Sequence, residues 1–565
     1  MMNTYTHKVS AQKKNRGILA ALSFWLCGGL LYVLPNSGGS GLSLPQNLLT
    51  WAVISLILTI SILSKDFTIK AFSRFSSGEQ AIIIGVLAWS FPLFLTRDLD
   101  WFQNAFPRVT ALILLTLLYF ILSRAMGGRL KNRYCLLNII IIACVLQGGY
   151  AIVQLIKSPA DRPYGSFQQV NVLSSFLATG LNCLLFIFLR KKTHHRALLL
   201  YWYALGILLL TSVIVVLQSR AAFIGFGCGV IILLISGLIT KRNRFLPAFF
   251  LLLSGIGIGL FVLYIFPMFF PDAAVPVIIK AESTSSRLYM TQLTIELIMQ
   301  SPIVGHGYGG FEAVFGQLAA TNLPGLEAAT LTHPHNEILY AWVEGGLISL
   351  VGLLLMIAGV LMKLWERGAL KRYGIALLLP LAAHMNLEYP LYQSVTHGLM
   401  LVLLLVIAGS IPSQCKTKEA QNGYGKKNSF QIIRCFLFLI SIFMIYFSLT
   451  GLITQQRLTQ IEKKGLQEFT VEPEKKINDL PNYYSQRTRI DFDYHVAMLL
   501  TFNKTRNPAL LSDFQQWGWR FLKTHNDPNI YDSMMKISQF QQTTQYHYLC
   551  AEAHGRWPKD KRFIC

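Results

Sequence analysis

Thirteen apolar runs, most of them about 17–25 residues long and so able to cross a bilayer as helices, recur along this chain. They lie at roughly 17–34, 47–63, 79–95, 106–123, 134–156, 170–189, 197–217, 221–239, 245–267, 338–362, 373–388, 395–411 and 435–453. Of the 565 residues, 53% are hydrophobic and only 14% charged, against about 25% charged in soluble domains. A globule of this size would have too little polar residue content to coat it. That excludes a soluble enzyme, a disordered protein and a secreted disulfide scaffold. The fold class expected is an all-α polytopic membrane protein with about 13 transmembrane helices.

The net charge of +23 raises the question of nucleic acid. Its placement answers it. With a cytoplasmic N-terminus, the inner segments hold 27 basic residues and the outer segments before the tail only seven: Arg97, Arg108, Lys157, Arg162, Arg220, Lys280 and Arg287. This is the positive-inside bias of membrane proteins. The basic residues are scattered through short loops rather than gathered in one stripe, so a nucleic-acid partner has no support. The first apolar run is too long for a cleavable signal and no A-x-A-like site follows it, so it is expected to remain as an anchor.

Three regions follow from this pattern: a membrane body over 1–453, a long outer loop within it at 268–337, and an outer tail over 454–565. The tail holds 16 basic and 12 acidic residues, and helical spacing around Tyr494–Leu500 and Leu511–Leu522 makes it a small helical domain. Pro508 and Pro528 punctuate it. Cys415 belongs to an inner loop, and the spacing of the nine cysteines matches no metal site. Cys550 and Cys565 share the tail, where an oxidising compartment would permit a disulfide.

Polar residues near spans are functional candidates, and here they gather at the outer face. The long loop ends in Thr332-His333-Pro334-His335-Asn336-Glu337, directly before a span. Histidine is the usual base near neutral pH; the plainer reading is a polar loop end with Asn336 as a helix cap. Arg220, in Gln218-Ser219-Arg220, occupies a very short outer turn. Its planar fork suits phosphate, whereas an ordinary arginine there would snorkel to headgroups. Arg287 opens an amphipathic stretch to about Met299, read as an interfacial helix with a cation in its first turn. The glycine-rich run Ser301–Gly310 that follows implies a tight turn or close backbone approach. Gln169 and Asn171 precede one span. His384, Glu388, Tyr389 and Pro390 join two others, and Glu344 stands about two turns into the span after the histidine pair. For Gln169, Glu344 and Glu388 the plainer reading is hydrogen bonding between helices, with an arginine or histidine as the partner of Glu344. Converging arginines, histidines and amides suit an anionic lipid headgroup and a polar acceptor.

These motifs resemble the O-antigen ligase/polymerase superfamily of bacterial membrane glycosyltransferases. The likeness rests on Gln218-Ser219-Arg220, on Arg287 with the Pro302/Gly305/Gly307 turn, and on His335-Asn336 with Glu344-Gly345-Gly346, and covers most of residues 165–410. Within it, Gln169/Asn171, His333 through Glu337, and Glu388-Tyr389-Pro390 look like the PglL-type protein O-oligosaccharyltransferases that glycosylate pilins. The resemblance implies a GT-C-like body in the Gram-negative inner membrane, with its active site facing the periplasm. It also implies an inverting, metal-independent transfer from undecaprenyl pyrophosphate with no cofactor. Arg220 and Arg287 would hold the pyrophosphate, and His335 would orient or deprotonate the acceptor hydroxyl. His333, Asn336, Glu337, Gln169, Asn171, Glu344, Glu388 and Tyr389 would be supporting or acceptor-side residues. One departure is that Met290 and Thr291 stand where the family often has an aromatic after the second arginine.

Two other readings compete. An O-antigen ligase or polymerase would use the same donor with a sugar acceptor; Glu388-Tyr389-Pro390 and the ordered tail argue against it. A transporter would place polar residues at the midplane of symmetric halves, and no repeat is visible. The topology is tested with reporter fusions. Alkaline phosphatase joined after Cys565 is expected to be active, and joined after Lys418 inactive; the reverse pattern would overturn the orientation.

Overall fold

The computed structural model describes residues 2–64, 67, 75–126, 129–190, 197–239, 243–278, 281–322, 331–365, 373–409 and 424–565. Lys65, Lys70, Arg74, Lys191, Lys192, Arg196, Lys241, Arg242, Arg367, Lys371, Arg372, Lys416 and Lys418 of the inner basic set lie outside the described residues. So do Lys280, Cys415 and positions 323–330 of the long loop.

Among the described residues every regular element is helical. Among the described residues ten helices are long and apolar enough to cross a membrane, from Pro45–Leu63 to Phe430–Lys463, consistent with a polytopic membrane protein. Asn15–Leu31, Gly374–Met385 and Val395–Ala408 are apolar but shorter. The 12 residues of Gly374–Met385 reach about 18 Å at 1.5 Å per residue, less than a hydrocarbon core of about 30 Å.

The chain forms two compact units. The first comprises Met1–Gln80, Leu114–Ile278 and Gly359–Leu452; the second comprises Ala81–Ile113, Ile279–Ala358 and Ile453–Cys565. At the centre of the first lies Val170–Arg190, whose spanning window is wholly buried. It packs against Leu130–Lys157, Ala197–Leu217, Arg220–Ile239 and Gly374–Met385. Enclosure on all sides explains how it carries buried Ser174, Ser175, Thr179 and Asn182: neighbouring helices supply partners that lipid cannot. Asn182 Nδ2, for example, donates to Ala376 O at 2.8 Å. A small residue permits the closest approach, since a Cβ on Gly225 would stand 2.6 Å from Pro380 Cα. Elsewhere in this unit Arg124 and Lys363, both counted as inner, converge on buried Glu79 at 2.6 and 3.6 Å.

In the second unit the tail forms Arg487–Thr505, Ala509–Leu522, Pro528–Phe540 and Gln545–Arg556. Two of these helices begin at or just after the prolines expected to punctuate the tail, because a proline in the first turn forfeits no helical hydrogen bond. Phe514, Met534, Leu549 and Phe563 are fully buried in its core. Glu312, opening the helix Phe311–Asn322, accepts from Asn526 N at 2.8 Å and pairs with His525 at 2.9 Å. Trp101 Nε1 donates to Lys523 O at 2.9 Å. The tail is thereby tied to segments far from it in sequence.

Cys550 and Cys565 are disulfide-bonded. The bond closes a loop that contains the fully buried Phe563, and such a cross-link contributes about 3 kcal/mol. Cys550→Ser is expected to lower the thermal midpoint of the full-length protein in detergent by several degrees. Reducing agent should do the same to the wild type and leave the variant unmoved; an unchanged midpoint in both would show that the bond adds nothing.

Candidate functional site

The glycine-rich run and Glu344-Gly345-Gly346 prove to be one piece of architecture. Gly346 has φ 62° and ψ −158°, which breaks the helix Glu337–Trp365. That conformation is essentially reserved for glycine. The break frees backbone groups, and residues 303–307 fill them. His306 N donates to Val343 O and Gly307 N to Glu344 O, each at 2.9 Å, while Leu347 N donates to Ile303 O at 3.0 Å. Gly305 (φ 77°) and Gly307 (φ 106°) give the inserted strand of chain its shape.

Glu344 pins this insertion from the side chain. Its Oε1 accepts from Gly309 N at 3.1 Å and Phe311 N at 3.2 Å, and its Oε2 pairs with Arg108. The expected arginine partner is therefore Arg108, which was legible only as an outer-loop charge. The guanidinium also lies over Tyr308 and Tyr340, 4.8 and 4.7 Å from their ring centroids. Tyr308 in turn donates to Trp89 O and lies 2.7 Å from Ser349 Oγ.

The histidine pair stands beside this cluster. His333 lies with its ring 4.6 Å from that of Tyr340. Burial, then the Arg108 guanidinium and His335, hold its imidazole well below the ordinary histidine range, so it is neutral at neutral pH. His335 is partly buried and has a left-handed backbone, φ 56°. Asn336 is the expected cap: its Oδ1 accepts from Ile338 N and Leu339 N at 3.0 Å. Glu337 is the first helical residue, where a carboxylate complements the helix dipole. Arg287 is partly buried in Ala281–Gln300. The helix begins six residues before it, so Arg287 lies past the first turn. The expected conflict with the helix dipole does not arise, because that field is confined to the first turn.

The first unit holds the remaining candidates. Gln218 is left-handed, φ 52°, and Arg220 is the first residue of Arg220–Ile239. Gln218 anchors the turn through its side chain, donating to Pro276 O at 2.9 Å and accepting from Ile278 N at 3.1 Å. Arg162 donates to Leu217 O beneath the same turn. Gln169 follows Gln168, again left-handed at φ 58°, and is partly buried. Asn171 Nδ2 donates to Glu388 Oε1 at 2.6 Å, and Glu388 Oε2 lies 3.3 Å from His384 Nε2. Burial and the adjacent Glu388 push the Tyr389 phenol above its usual range.

Asn171 and Glu388, both expected at the outer face, are hydrogen-bonded to each other; sequence reasoning did not single out Arg108, Tyr308, Arg162, Ser175 or the fully buried His397. Ser175 and His397 carried a signal, since each is a polar residue inside an apolar run. Arg108 and Arg162 carried little beyond their charge.

Residues 205–357 match the family described as O-Antigen ligase, and residues 372–536 match that described as Virulence factor membrane-bound polymerase, C-terminal. Together they support the O-antigen ligase superfamily. No curated protein matches the chain. The O-antigen ligase match contains Arg220, Arg287, His333, His335 and Glu344, and the second contains Glu388, Tyr389 and most of the tail. Glycosyl transfer of the ligase or polymerase kind is the activity these matches support.

Removing one partner of a buried ion pair costs about 3–5 kcal/mol. Glu344→Gln is expected to destabilise the protein by roughly that amount in detergent unfolding, and the double variant with Arg108→Gln by less than the sum of the two single changes. Strict additivity would mean that the pair does not hold the insertion.

Proposed function

We propose that the chain is a protein O-oligosaccharyltransferase that moves a preassembled glycan from undecaprenyl pyrophosphate to a Ser/Thr hydroxyl of a periplasmic acceptor of pilin type. It does so from the inner membrane, inverting the anomeric centre and using no metal. The acceptor oxygen attacks the anomeric carbon while the pyrophosphate leaves. Arg220 and Arg287 neutralise the charge that grows on the leaving group, where fixed donors are most effective. His335 orients or deprotonates the hydroxyl, with neutral His333 beside it. Gln169, Asn171, Glu388 and Tyr389 serve the acceptor.

The observation that carries the protein-acceptor reading is the Glu388-Tyr389-Pro390 turn, whose carboxylate is held by Asn171 and His384. The ordered tail adds support, because a helical domain with its own core offers a surface that a protein acceptor can use and a sugar does not need. The polymerase wording of the second family match favours the other reading, a ligase or polymerase with the same donor and a sugar acceptor.

Intact mass spectrometry of a pilin-type protein tests this. Cells with a lipid-linked glycan pathway would express the wild type, Arg220→Ala or His335→Ala. A glycan-sized mass increment is expected with the wild type alone, since loss of one charge-stabilising donor costs about 100-fold or more in rate. Unmodified pilin, with polysaccharide chain length altered only by the wild type, would replace this reading with the sugar-acceptor one.

A further inference from the structure

Two fully buried histidines, His384 and His397, share one hydroxyl, Ser175 Oγ. The hydrogens around that oxygen can be accounted for one by one. His397 Nε2 lies 3.1 Å from Val172 O. A carbonyl only accepts, so this nitrogen carries the hydrogen. The same nitrogen is 3.1 Å from Ser175 Oγ, which therefore receives. In a neutral ring Nδ1 is then the acceptor, and Ser394 Oγ, 3.0 Å away, donates to it.

The other end is set by Glu388. Its carboxylate oxygen lies 3.3 Å from His384 Nε2, and a carboxylate only accepts, so this nitrogen carries a hydrogen. In a neutral ring Nδ1 is then the acceptor, and the Ser175 hydroxyl, 2.7 Å away, donates to it. Val172 O, 3.1 Å from Ser175 Oγ, also accepts from this hydroxyl; the 2.7 Å contact to His384 Nδ1 is the shorter of the two. Every donor in the row Ser394, His397, Ser175, His384 points the same way, and the row ends on Glu388. Asn171 holds the second carboxylate oxygen. Hydrogen bonds aligned in series polarise one another, so the carboxylate is both oriented and stabilised.

Arg162, from residues 158–169, acts on Glu388 electrostatically. Tyr389 adjoins it in the chain, His384 comes from Gly374–Met385, and His397 from Val395–Ala408. Val170–Arg190 contributes the neutral Asn171 and Ser175.

We propose that Glu388 is the group that receives the acceptor's proton, and that Ser394, His397, Ser175 and His384 are positioning residues that hold it ready. The inference rests on the glycosyl-transfer reading above. In the step, the acceptor O–H bond breaks as its oxygen bonds to the anomeric carbon. The bond from that carbon to the pyrophosphate oxygen breaks, and its electron pair stays on the leaving group. The proton sits on Glu388 until water removes it.

The test uses the full-length protein in lipid nanodiscs, with an undecaprenyl-pyrophosphate-linked oligosaccharide as donor and, in separate reactions, a serine peptide or an oligosaccharide as acceptor. Initial rates are measured from about pH 3.5 to 9, bracketing the range in which carboxyl and imidazole groups change charge. Glu388→Gln is expected to lower kcat by at least about 100-fold. Ser175→Ala and His384→Gln should lower kcat by about 10–100-fold with KM little changed, the signature of lost positioning. Their acid limb should move to higher pH, because a carboxylate that loses a donor is more easily protonated. Ser175→Thr, which keeps the hydroxyl, should retain the wild-type profile, and thermal melting checks that each variant is folded. Full activity in folded Glu388→Gln would overturn the proposal. So would a Ser175→Ala defect with an unmoved pH profile, or one that Ser175→Thr shares. A wild type that transfers to neither acceptor would instead remove the glycosyl-transfer reading, and this inference with it.

Discussion

Hydrocarbon offers no hydrogen bonds, so a helix that breaks within a membrane-spanning stretch must find its missing partners inside the protein. The helix Glu337–Trp365 breaks at Gly346, and the candidate histidines stand just ahead of it. The segment 303–307 meets that requirement with backbone groups on both sides of the break. Glu344 fastens the next turn of the same segment and is itself held by Arg108. The arrangement explains why two glycine-rich motifs, separated in sequence, need each other. Without the inserted chain the break would leave buried polar groups unsatisfied, and without the break the inserted chain would have nothing to bond.

A second regularity concerns strain. Gln168, Gln218 and His335 are all left-handed non-glycine residues, and each lies within or beside a candidate motif. Such conformations cost on the order of 1 kcal/mol each and persist where surrounding structure demands them. Gln218 shows how: both ends of its amide bond to the chain at 276–278, which holds the turn that begins the Arg220 helix.

Two of the buried acids, Glu344 and Glu388, are held in different ways. Glu344 takes an arginine and two backbone N–H groups, an arrangement that anchors. Glu388 takes the amide of Asn171 and the imidazole of His384. Both stand in motifs with neighbouring aromatic or glycine residues, and sequence alone gave them the same standing.

The apolar runs themselves determined the helical class, the positions of the long helices and, through proline placement, where tail helices begin. Asn336 as a cap was equally legible, because capping depends on the next three residues and on nothing distant. The amphipathic stretch at Arg287 was read as a helix, but its start was misplaced by six residues, since helix ends depend on what the flanking chain packs against. What only the tertiary structure decided is pairing. Arg108 and Glu344 are 236 positions apart, Asn171 and Glu388 are 217 apart, and Ser175 reaches His397 across 222. Local periodicity carries no information at such separations. A buried polar group must find a partner, but the choice among distant candidates is made by which helices lie side by side, and that is settled by packing of the apolar faces together.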